Sequence, residues 1–140
     1  MKFYEAAATI DAAPEAVWGI LVDGPAYANW ENGVVRVEGS IAPGETVKVV
    51  SEANPDRTFP VKVTAWEPGR RMEWSGGMPL GLFRGVRTFT MAPGAAGTTE
   101  FKVREEYTGP LLGMIWKSMP DLGPSFEKFA TGLKRRAERS

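Results

Sequence analysis

From Val34 to Tyr107 the chain runs as short alternating segments divided by turns that carry proline and glycine: Val34–Ile41, Glu45–Ser51, Thr58–Glu67, Arg70–Ser75, Phe83–Met91 and Thr98–Tyr107. The turns are Ala42-Pro43-Gly44, Asn54-Pro55-Asp56, Pro68-Gly69 and Pro93-Gly94-Ala95-Ala96-Gly97. Their residues supply fixed or positive backbone angles. Connections this short join antiparallel neighbours, because a parallel crossover needs about a dozen residues or more. The pattern reads as an antiparallel meander.

The flanks add one strand and several helices. Phe3 to Ile10 reads as a first strand. Ala13-Pro14-Glu15 then opens a helix, with proline in the first turn and an acidic side chain near the amino end. Ala16, Val17, Ile20 and Leu21 form its apolar stripe, Gly24-Pro25 stops it, and Ala26 to Trp30 makes a second brief helix or turn that brings Tyr27 and Trp30 inward. Beyond Gly109-Pro110 the period is helical again: Leu112, Ile115, Trp116 and Met119, then Phe126, Phe129, Ala130, Leu133 and Ala137. Pro120 and Gly123-Pro124 divide this carboxy-terminal helix into two halves, since proline lacks the amide donor and clashes with the preceding turn. The fold class is α+β, a seven-stranded antiparallel sheet with a long terminal helix, and 140 residues suit one domain spanning 1–140.

Composition removes whole classes of chemistry. Lysine plus arginine number 17 and aspartate plus glutamate number 17, so no general attraction to nucleic acid is expected. With no cysteine there is no thiol nucleophile or disulfide framework, and with no histidine the serine–histidine triad and the HExxH zinc site are unavailable. Neither a Walker loop nor a Rossmann fingerprint is present, and no acidic cluster has calcium-loop spacing. No cofactor or metal is expected. The amino terminus lacks an apolar signal core, and no apolar stretch spans a bilayer, which points to a cytoplasmic protein without an integral membrane segment. Lys134-Arg135-Arg136 and Arg139 are read as a solvated helix end that complements the helix dipole.

The order of elements, with Ile10-x-Ala12-x-Pro14-Glu15-x-Val17-Trp18, Asp23 with Tyr27-x-x-Trp30, Trp66-Glu67-Pro68-x-Arg70, Phe83-x-Gly85-x-Arg87-x-Phe89, Thr98-Thr99-x-Phe101 and Tyr107-x-Gly109, resembles the SRPBCC (START-like) superfamily. It is most similar to the polyketide cyclase/dehydrase branch, and the resemblance covers nearly the whole chain. It implies a helix-grip fold, in which a curved sheet wraps the terminal helix around a deep, largely apolar cavity.

Alternation places Phe83, Arg87, Phe89 and Met91 on one face of the sixth strand, and Phe101, Val103, Glu105 and Tyr107 on one face of the seventh. A hairpin centred on Ala95 or Ala96 keeps both faces inward and sets Arg87 diagonal to or directly opposite Glu105. The two form either a buried structural ion pair or the group that orients a ligand's polar end, with Tyr107 as a further hydrogen-bonding hydroxyl. The candidate ligand wall is Trp74, Phe83, Arg87, Phe89, Phe101, Val103, Glu105 and Tyr107 from the sheet, with Leu112, Trp116, Met119 and Phe126 from the helices. Met78, Leu80 and Leu82, in the apolar glycine-flanked connection 76–82, are candidate portal residues.

Three functions compete. The leading one is a non-enzymatic binder or carrier of a small hydrophobic molecule: a lipid, a sterol-like compound or an aromatic. The second is a cyclase or dehydratase in which Arg87, Glu105 and Tyr107 are candidate catalytic residues that polarise a carbonyl and move a proton. The third is a protein-docking module built on the apolar portal. The chain is expected to be a monomer or a homodimer.

Overall fold

The computed structural model describes residues 1–139. In chain order the elements are β1 (Lys2–Ile10), α1 (Pro14–Leu21), a 3-10 turn (Pro25–Asn29), β2 (Val34–Glu38), β3 (Thr46–Ser51), β4 (Asn54–Glu67), β5 (Arg71–Gly77), β6 (Arg84–Pro93), β7 (Thr99–Thr108), α2 (Leu112–Ser118) and α3 (Gly123–Glu138). The strands form one antiparallel sheet in the order β1-β7-β6-β5-β4-β3-β2. The meander of β2 to β7 is therefore closed by β1, which returns beside β7. The sheet curls around α3, the helix-grip arrangement expected from the sequence.

Period-2 alternation decides what the sheet buries. Ala6 and Ile10 on β1, Met72 and Trp74 on β5, Phe89 and Met91 on β6, and Phe101, Val103 and Tyr107 on β7 are buried on the concave face. From α3, Phe126, Phe129, Ala130, Leu133 and Ala137 meet them at three- and four-residue steps. Each large side chain withdrawn from water in this way contributes about 1.5–3 kcal/mol. A bulge in β4 interrupts the alternation: pairing with β5 shifts between Thr64 and Glu67, and Ala65 takes a positive φ of 49°. The extra residue reverses the facing of the residues after it and lets Trp66 meet Trp18 edge-on at 5.0 Å.

The carboxy-terminal helix is divided as the prolines predict, with α2 ending at Ser118 and Pro124 in the first turn of α3. Three expectations need correction. Asn54-Pro55-Asp56 is strand rather than turn, because Ser51 pairs with Asn54 and leaves Glu52 and Ala53 as the tight connection. Pro55 is tolerated since this part of β4 pairs with β3 alone, β5 joining only from Lys62. β2 ends at Glu38 instead of reaching Ile41, which is buried from the following loop. On α1 the buried stripe is Val17, Trp18 and Leu21, while Ala16 is exposed, because the helix turns its tryptophan toward Trp66.

One contact fixes where α3 sits. A Cβ on Gly132 would lie 1.5 Å from the carbonyl oxygen of Glu31, so the helix backbone rests directly on the segment that leads into β2. From the other side Gly33, with φ of +77°, brings its Cα within reach of Ser125, whose carbonyl oxygen would be 3.2 Å from an added Cβ. Among the described residues no helix is long and apolar enough to cross a membrane.

Candidate functional site

The hairpin of β6 and β7 turns through Ala95–Gly97 and sets Arg87 directly opposite Glu105. The Arg87 Nε donates to Glu105 Oε1 at 2.8 Å, and each side chain is 20% exposed, so the pair lies inside the rim of the concave face and not on the outer surface. The Arg87 guanidinium also lies over the Phe126 ring of α3, 4.6 Å from its centroid. The cation thus has a carboxylate on one side and a π face on another, which offsets part of its desolvation. Room for the carboxylate comes from Gly85: a Cβ there would be 3.1 Å from Glu105 Oε2 and 3.5 Å from the Tyr107 ring.

Aromatic rings enclose the pair. Tyr107 is met by Phe83 at 6.1 Å, by Trp116 at 5.7 Å and edge-on by Tyr4 at 6.1 Å. Tyr4 in turn stacks on Trp116 at 5.3 Å and on Phe126 at 5.6 Å. The Tyr107 hydroxyl is buried beside the Glu105 carboxylate without a well-formed hydrogen bond, and burial, reinforced by the charge and closeness of Glu105, raises its pKa far above the ordinary tyrosine value. Trp74, opposite Arg87 on β5, likewise holds its indole Nε1–H buried and unpartnered. By contrast, the buried Tyr27 hydroxyl donates to the Leu21 carbonyl at 2.6 Å, as a structural tyrosine should.

The expected wall residues divide into two groups. Phe83, Arg87, Glu105, Tyr107, Trp116 and Phe126 form the cluster just described. Phe89, Phe101 and Val103 lie deeper, fully buried, with Phe89 5.5 Å and Phe101 6.2 Å from the Phe129 ring. Trp74 links the two, edge-on to Phe89 at 4.9 Å. Rings therefore occupy the space between the sheet and α3. Leu112 is buried at the start of α2 and Met119 half-buried just beyond its end. Of the portal candidates, Leu80 is 96% exposed and Met78 43%, whereas Leu82 is half-buried, its carbonyl accepting the Leu111 amide at 3.0 Å.

Sequence reasoning missed Tyr4 and Gly85. Tyr4 was legible, since it shares the alternation of Ala6, Ala8 and Ile10. Gly85 was not, because its value lies in a neighbour's carboxylate. No group of three or more aspartate or glutamate side chains converges among the described residues in a way that would hold a metal ion.

Among solved structures, the chain is similar to the Zhui aromatase/cyclase from Streptomyces sp. R1128, at 14% identity and a TM-score of 0.76, over 99% of this chain and 94% of that one. It is also similar to a START superfamily protein from Mycobacterium smegmatis, at 18% identity and a TM-score of 0.72, over 98% and 97% of the two chains. A hypothetical protein from Helicobacter pylori superposes with a TM-score of 0.78 at 11% identity, over 97% and 88%. Identities this low establish the shared fold alone. No curated protein matches significantly. The family model described as polyketide cyclase / dehydrase and lipid transport matches residues 2–138, and the chain belongs to that family.

Proposed function

We propose that this protein binds and carries a small, mostly apolar molecule with one polar acceptor group, held between the sheet and the terminal helices. The observation that carries this reading is the buried, unpartnered Trp74 Nε1–H together with the buried Tyr107 hydroxyl, which lies against the already paired Glu105 carboxylate, in an otherwise apolar interior; the other buried donor without a partner among the described residues, Trp30 Nε1–H, sits apart against Tyr27 and Phe129. A buried donor left unmade costs about 1–3 kcal/mol, so a ligand carbonyl or hydroxyl that accepts from either recovers that cost. The apolar body takes the place of the rings at the mouth. Trp116 and Met119 are half-buried and belong to the short helix and the proline-broken link beside α3, the part of the wall that can yield with least loss of packing. The connection of Met78, Leu80 and Leu82 is the portal.

The test is native mass spectrometry of gently purified protein, followed by organic extraction. The expected result is a stoichiometric added mass that leaves with the solvent. If the chain instead stays bare, and fatty acids, sterols and aromatic polyketides all fail to bind it, the reading is wrong. Tyr107→Phe and Arg87→Met should weaken ligands with a carbonyl by about tenfold and leave hydrocarbon probes unchanged.

A second reading, a ring-closing cyclase or dehydratase, is favoured by one feature: a carboxylate, a guanidinium and a neutral phenol at the same place. Arg87 would polarise a substrate carbonyl, and Glu105 would take the proton from the adjacent carbon. Turnover of a poly-β-keto substrate that vanishes in Glu105→Gln, with binding retained, separates the two.

A further inference from the structure

Strands β4 and β5 separate at one end. Their pairing stops at Lys62 and Ser75, while β5 continues beside β6 as far as Gly77 and Arg84. The splay opens a depression of about 470 Å³ beneath the connection that leaves β5. Side chains from three strands line it: Lys62 and Thr64 from β4, Ser75 from β5 and Arg84 from β6, with Met78 and Phe83 as apolar floor. Lys62, Thr64, Ser75 and Arg84 project from the convex face, away from the interior where their neighbours Val63 and Trp74 are buried.

No carboxylate lines this depression. Among the described residues neither Lys62 nor Arg84 has an ion pair or side-chain hydrogen bond. The nearest acidic residues on the convex face are already engaged, Glu73 by Arg71 and Glu106 by Arg104 at 2.8 Å. Lys62 and Arg84 are separated by one intervening strand and offset by two residues along it, a backbone spacing of about 12 Å, which two long side chains can close onto a single group. The two hydroxyls between them offer further donors. Two uncompensated cations over a concave, partly apolar wall attract anions more strongly than they would on an open surface.

We propose that this depression is a second ligand site, on the outer face of the sheet and bordering the interior one at Met78 and Phe83, and that it takes a small organic oxyanion: a phosphate or carboxylate carried on a short apolar body. Lys62, Arg84, Thr64 and Ser75 hold the oxyanion, and Met78 and Phe83 contact the carbon skeleton. Gly77 keeps the wall open. With φ of +144° and a would-be Cβ 2.2 Å from the Phe83 carbonyl oxygen, that position admits no side chain.

The test is amide NMR of the full chain titrated with phenyl phosphate, benzoate, inorganic phosphate and benzyl alcohol. Phenyl phosphate should give saturable shifts at Ser75, Gly77 and Arg84, and its Kd should rise by about tenfold or more in Lys62→Gln/Arg84→Gln, a variant whose remaining spectrum verifies the fold. Benzoate binding alongside it identifies a general oxyanion site, and phenyl phosphate alone identifies a phosphate-ester site. Several outcomes overturn the proposal: no saturation by about 10 mM, an unchanged Kd in the variant, benzyl alcohol binding equally well, or inorganic phosphate binding as tightly as phenyl phosphate. Because shifts at Tyr4 and Trp116 report the interior, failure there leaves this result readable, and the reverse holds.

Discussion

Gly132→Ala should destabilise the protein strongly, although alanine is the better helix former. In a solvent-facing helical position the exchange gains about 1 kcal/mol, because alanine loses less backbone entropy on folding. At Gly132 the added methyl would stand 1.5 Å from the Glu31 carbonyl oxygen and 2.7 Å from its carbon, both of which are backbone. Restoring an ordinary contact requires α3 and the segment before β2 to part by roughly 2 Å, a gap over which dispersion contacts are lost outright. The separation acts where Phe129 meets Trp30 at 5.5 Å and Tyr27 at 6.3 Å, so several buried rings lose packing at once. Overpacking of about 1–3 kcal/mol, together with the loosened rings, gives an expected net loss of about 3 kcal/mol. Urea denaturation followed by tryptophan fluorescence measures it. Gly19 in α1 is the internal control, since an added Cβ there meets nothing within 4 Å, and Gly19→Ala should stabilise by a few tenths to about 1 kcal/mol. If Gly132→Ala proves as stable as the unaltered chain, the seating of α3 on Glu31 is wrong.

Three further outcomes are expected. In a double-mutant cycle of Arg87→Met and Glu105→Gln, the coupling should be about 1–2 kcal/mol, between the values for exposed and fully buried pairs, as 20% exposure of both side chains implies; additive losses would show the pair to be incidental. Burial raises the pKa of both Tyr27 and Tyr107, so the stability each contributes is complete below the ordinary tyrosine pKa of about 10 and is lost as pH rises above it. The tyrosinate absorbance of the native protein should therefore lag behind that of the denatured chain, with Tyr27 and Tyr107 appearing only on alkaline unfolding. Gly85→Val should displace the Glu105 carboxylate and the Tyr107 ring and so reduce ligand binding by more than it reduces stability, read by comparing probe Kd with the urea midpoint.

Much of this protein is legible in its sequence because the relevant signals are local. The alternation of Phe83 to Met91 and of Phe101 to Tyr107, joined by a short turn, brings Arg87 and Glu105 together through chain geometry alone, and Pro120 and Pro124 divide the terminal helix wherever it packs. Long-range relations decide the rest. The Asn54-Pro55-Asp56 segment reads as a turn by composition, yet its pairing to β3 overrides that propensity, since a strand with one free side can carry proline. The bulge at Ala65 gives no sequence signal and nevertheless aims Trp66 at Trp18. Gly132 reads locally as a weak point in a helix, and only the approach of the Glu31 carbonyl explains it. Likewise, alternation puts Tyr107 and Trp74 indoors, but whether their donors find partners depends on residues from other strands and helices. Periodicity fixes which way a side chain faces; what it meets there is set by elements far away in the chain, and that is decided only when the sheet closes on α3.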